Sequence, residues 1–62
     1  MKFSDLVIGQ IFQIVKDNNP LPMRFRKTEI HGDHNCVSLW KENQECKAHC
    51  PLNQEIILNE EP

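Results

Sequence analysis

The alternation in Met23-Arg24-Phe25-Arg26-Lys27-Thr28-Glu29-Ile30 is the clearest strand signal in the chain. Successive side chains of a strand point to opposite faces, so Met23 and Phe25 share one face while Arg24 and Arg26 take the other. Before this stretch, Asp17-Asn18-Asn19-Pro20-Leu21-Pro22 is a strong turn signal. Asn and Asp tolerate left-handed backbone angles, and proline cannot donate to a central ladder. After it, Gly32-Asp33 marks a second turn. The segments 10–16, 35–40, 45–50 and 55–58 are also short and strand-like in composition, separated by the polar interval 41–45 and by Pro51-Leu52-Asn53.

The fold expected from this pattern is mostly β, a five-stranded antiparallel meander curled into a partly open SH3-like barrel. It forms a single small domain over 1–62, with 59–62 as a frayed tail. Its expected core is Phe3, Leu6, Ile8, Phe12, Ile14, Phe25, Val37, Leu39, Ile56 and Leu58. Strand parity groups Val37 with Leu39 and leaves Cys36, Ser38 and Trp40 on the opposite face. Two segments also carry a helical pattern. In 4–16, with Phe3 just before it, Phe3, Leu6, Val7, Ile11, Ile14 and Val15 recur at three and four residues behind a Ser4 cap, and 39–49 is rich in helix formers ahead of Pro51. Strands are preferred for both. Gly9 costs a helix about 1 kcal/mol, the first segment is heavily β-branched, and a hairpin at 45–50 completes the sheet.

Composition bounds the function. At 62 residues, with 39% hydrophobic, 26% charged and 6% aromatic side chains, the chain builds one modest core. A net charge of -2 excludes a wholesale polyelectrolyte binder, although the sign is uneven. Residues 1–31 carry five bases and three acids, whereas 32–62 carry two bases and six acids, which places an anion-binding surface in the first half. No apolar run approaches the roughly 18 residues of a membrane-spanning helix, and Asp5 and Gly9-Gln10 interrupt any signal-peptide pattern. Three cysteines cannot all pair within one chain, so free thiols in a reducing cytoplasm are expected. With Gly9 and Gly32 as the only glycines there is no phosphate-cradling loop, and no catalytic constellation stands out.

The opening Phe3-Ser4-Asp5-Leu6-Val7-Ile8-Gly9-Gln10-Ile11-Phe12 resembles that of short uncharacterised bacterial proteins that begin Phe-x-Asp-Leu-x-x-Gly-x-x-Phe and fold as small SH3-like barrels. Arg26-Lys27-Thr28, Asn35-Cys36-Val37-x-Leu39 and Pro51-x-x-x-Glu55-Ile56 fall where such proteins carry their second, third and last strands. The resemblance implies a barrel and supplies no reaction. The Cys and His residues depart from it.

Two groups of residues carry candidate chemistry. Arg24, Arg26 and Lys27, with Trp40 as a contact residue, form a partner-binding patch in which guanidinium groups would engage phosphate or carboxylate. Its bland counterpart is a solvated face paired with Glu29, Glu42 or Glu45. The second group is His31, His34, Cys36, Cys46, His49 and Cys50, from which a zinc site would draw His34, Cys36, Cys46 and Cys50. The intervals Cys-x3-Cys and His-x2-His are not those of common structural zinc sites, and the bland reading is thiols packed as small apolar groups. The expected function is therefore a non-enzymatic binding or adaptor module without a cofactor. Its expected partner is an unidentified protein or other anionic molecule, with nucleic acid second and no membrane. The alternative is a zinc-stabilised domain.

Overall fold

A computed structural model of the chain describes residues 1–41 and 44–59, with the side chains of Trp40, Lys41, Gln44 and Glu45 excepted. A 3-10 turn at Phe3–Asp5 precedes five strands: β1 (Ile11–Lys16), β2 (Asn19–His31), β3 (His34–Lys41), β4 (Gln44–Ala48) and β5 (Ile56–Leu58). All pairings are antiparallel, in one open sheet of order β4-β3-β2-β1-β5. The first four strands form the meander, and β5 then crosses back to pair with β1 through Phe12↔Leu58 and Ile14↔Ile56. This is a mostly β architecture, compatible with a small, partly open barrel. Neither segment with helical spacing forms an α-helix among the described residues: the first opens with the 3-10 turn and a loop and becomes strand only as β1, and the second ends β3 and forms β4.

The first turn is tighter than the prolines suggest. Asp17 and Asn18 alone connect β1 to β2, at φ of 53° and 65°, and the strand resumes at Asn19. Pro20 and Pro22 lie within β2, where the register slips between Gln13↔Arg24 and Val15↔Pro20. A bulge leaves backbone groups outside the ladder, so a missing N–H is tolerated there. The Leu21 carbonyl in that bulge accepts a 2.9 Å hydrogen bond from the Gln13 side chain.

The core holds Phe3, Leu6, Phe12, Cys36, Cys50 and Ile56, with Ile14, Phe25, Ala48 and Leu58 packed against it. Phe12 is the hub. Its ring meets Phe3 edge-on at 5.3 Å and stacks on Phe25 at 5.6 Å. Fully burying side chains of this size stabilises a fold by about 1.5–3 kcal/mol each. Two expectations are corrected. Ile8 is 59% exposed, because the chain reverses at Gly9 (φ 99°) and turns Ile8 out of the barrel end that Phe3 and Leu6 fill. The parity of β3 is also inverted: cross-strand partners share a face, and Phe25↔Ser38 with Lys27↔Cys36 puts Cys36 and Ser38 on the inner side. Val37 is still buried on the outer side, between its cross-strand partners Arg26 and Lys47. Pattern alone cannot resolve this, because residues 35–38 are all buried and only pairing distinguishes their faces.

The 3-10 turn seals one end of the barrel. Lys2 donates its backbone N–H to Asp5 Oδ2 at 3.0 Å, and Phe3 and Ser4 donate theirs to the carbonyls of Gln54 and Leu52. The N-terminal ammonium meets the Glu55 carboxylate at 2.6 Å. Asn59 is held by its N–H to Ile11 and by its side chain to Gln13 Oε1 at 2.8 Å, while 60–62, the rest of the expected tail, lie outside the described residues.

Candidate functional site

The outer face of the sheet is built by register. Ile11↔Arg26, Arg26↔Val37 and Val37↔Lys47 align one residue from each of four strands in a row, so Arg26 and Lys47 flank Val37. Two pairs further along, on the same face, Arg24 lies opposite Gln13, and Arg24, Leu39, Pro22 and Met23 line a shallow notch. Arg24 is exposed and Arg26 half-buried, each engaged in contacts. Three bases thus share one face around Val37 and Leu39, and the same register places the acidic position Glu45 opposite Leu39. Lys47 was not foreseen as a member, since it comes from the acidic half of the chain and only the β3–β4 register delivers it.

Lys27 does not share that face. Its ammonium reaches inward and donates to the carbonyls of Leu6 at 2.7 Å and Phe3 at 3.4 Å, 4.8 Å from the centre of the Phe3 ring. Alternation explains the separation: Lys27 has the parity of Phe25, so its stem runs along the core and its charged end caps the 3-10 turn. It is a structural cation. The expected contact role of Trp40 rests on a side chain outside the described residues, as do the ion pairs proposed for Glu42 and Glu45.

The His/Cys group is dispersed. Cys36 and Cys50 are both 1% exposed and belong to the core, whereas Cys46 is exposed on the edge strand β4. His34 sits half-buried at the β2–β3 hairpin, its ring stacked on that of His31 with centroids 5.9 Å apart. His49 is exposed. Among the described residues no three His, Cys, Asp or Glu side chains are grouped to hold a metal ion, so His34, Cys36, Cys46 and Cys50 do not converge. The cysteines are free thiols. Burial pushes the Cys36 thiol up, and burial reinforced by Cys36 pushes Cys50 up to about 11. Such thiols stay protonated at neutral pH, and the thiolate is the form that ligates metals or attacks electrophiles.

Sequence reading missed Asn35, a buried residue whose side chain donates to the Cys50 carbonyl and accepts from the Cys50 N–H, both at 2.9 Å. This carries β-type pairing past the end of β4 and sets Cys50 in the core. It also missed a second surface feature: Val7, Ile8 and Ile30 are 64%, 59% and 73% exposed and line one groove. No helix among the described residues is long and apolar enough to cross a membrane. Comparison with protein-family models, with curated proteins and with solved structures yields no match. The functional reading rests on the chain's own residues.

Proposed function

We propose that this chain is a non-enzymatic binding module of SH3-like barrel type that engages an acidic segment of a partner protein on the outer face of its sheet. The observation that carries the reading is the register, which gathers Arg24, Arg26 and Lys47 around Val37 and Leu39 although the chain as a whole is acidic. A guanidinium binds a carboxylate through two parallel hydrogen bonds, and an apolar centre flanked by Arg24, Arg26 and Lys47 suits a peptide that alternates acidic with apolar side chains. The buried, protonated thiols of Cys36 and Cys50 suit a reducing compartment such as the cytoplasm and supply no nucleophile.

The test uses a synthetic acidic peptide, Glu-Leu-Glu-Leu-Glu, and a single-stranded oligonucleotide of equal charge as probes. Wild-type protein is expected to bind the peptide in a salt-sensitive manner, with Arg24→Glu/Arg26→Glu weakening it at least tenfold and Lys47→Glu weakening it less. Equal binding by wild type and the double variant would reject this face, and a preference for the oligonucleotide would reassign the partner to nucleic acid.

A further inference from the structure

On the barrel end sealed by the 3-10 turn, Leu6, Val7 and Ile8 face Lys27, Thr28, Glu29 and Ile30 across a groove of about 510 Å³. Three aliphatic side chains stand largely in water there. Exposed apolar clusters rimmed by polar residues mark contact surfaces on soluble proteins. The walls are held by the fold. Gly9 donates its N–H to the Lys27 carbonyl at 2.8 Å, Lys27 donates to the Leu6 carbonyl, and Gln10 Oε1 accepts from the Val7 N–H at 2.8 Å. The apolar residues are thus presented on a braced loop and a strand.

The charges on the groove select its occupant. The ammonium of Lys27 is turned to the Phe3 and Leu6 carbonyls, and the other charged lining residue is Glu29, whose side chain is 71% exposed with His31 Nε2 at 4.0 Å. The exposed charge at the rim is therefore the single Glu29 carboxylate, while the Lys27 ammonium is held inward. A second copy of the chain would bring another Glu29 to it. Three aliphatic side chains also fall far short of the roughly 800 Å² per partner that a stable dimer buries. From the exposed Glu29 carboxylate, the aliphatic walls and the small area, we infer that the groove is a second, separate docking site that takes a short extended peptide carrying an aliphatic side chain beside a Lys or Arg. The module then joins two partners of opposite charge. That second site does not depend on the role assigned to Arg24 and Arg26.

The probes are two synthetic peptides of one apolar pattern, Val-Lys-Ile-Lys-Val and Val-Glu-Ile-Glu-Val, added to the isotopically labelled 62-residue chain. The lysine peptide is expected to shift the amide resonances of Val7, Ile8 and Thr28–Ile30 at micromolar to millimolar concentration, and the glutamate peptide to leave them in place. Because Ile30 and Glu29 are exposed, their variants keep the fold. Ile30→Ser should weaken binding at least tenfold, Glu29→Lys should invert the preference between the two peptides, and Arg24→Glu/Arg26→Glu should bind the lysine peptide like wild type. Unmoved resonances at these positions, or a preference that survives Glu29→Lys, overturn the inference. So does self-association by sedimentation that Ile30→Ser abolishes, which would assign the groove to a second copy.

Discussion

Asn35 does with one side chain what a strand does with its backbone. Its carboxamide pairs with both the N–H and the carbonyl of Cys50, fifteen residues away, and holds that thiol in the core. Among the described residues no buried side-chain polar atom is left without a partner. Replacing Asn35 by Ala removes two buried hydrogen bonds and strands both Cys50 backbone groups, each loss costing about 1–3 kcal/mol. Asn35→Ala should therefore lower the unfolding free energy by about 2–6 kcal/mol, read as a fall in the urea midpoint. A change below about 0.5 kcal/mol would show that water satisfies Cys50 instead. The role was not legible in sequence, because an Asn two residues after Gly32-Asp33 has the composition of a turn and nothing local points to Cys50.

At the scale of elements, the β1–β2 hairpin shows what turn chemistry can and cannot tell. Positive φ at both Asp17 and Asn18 is the geometry of a two-residue type I′ connection, whose backbone twist matches that of the flanking strands. The second position favours Gly, which carries no Cβ penalty in the left-handed region. Asn18→Gly is expected to raise the melting temperature through about 0.5–1 kcal/mol, and Asn18→Val to lower it by about 1–2 kcal/mol. If both variants melt together with wild type, the turn is not under the conformational constraint described. The turn itself was legible from Asp and Asn. Its extent was not, because Pro20 and Pro22 read as loop until pairing places them beside a bulge.

For the whole molecule, the buried thiols couple stability to alkaline pH. In the unfolded chain the cysteines release their protons near pH 9.0, whereas in the native barrel both are held protonated further up, Cys50 to about 11. The native state therefore binds more protons than the unfolded state in that window, and stability must fall as pH rises through it. The contribution is complete below pH 9 and declines between 9 and 11. With no tyrosine in the chain, phenol ionisation does not overlap it. Denaturant titrations across this range should steepen downward for wild type and flatten for Cys36→Ala/Cys50→Ala. At neutral pH a thiol reagent should modify exposed Cys46 well before the other two. Equal modification of all three without unfolding would contradict their burial.

Strand character, the alternation that separates Phe25 from Arg24 and Arg26, and most of the core are legible in the order of residues alone. Each of these depends on side-chain period and backbone preference, which are properties of neighbours along the chain. The tertiary structure alone decided which face of β3 turns inward, that Lys27 caps the 3-10 turn while Lys47 joins Arg26, and that Ile8 leaves the core to line a groove with Ile30. It likewise dispersed a His/Cys group that is compact in sequence, burying Cys36 and Cys50 and leaving Cys46 at an edge. The physical reason is register. A shift of one residue between paired strands moves every side chain to the opposite face, and here irregularities in all three hairpins shift the register, which strand alternation alone does not reveal.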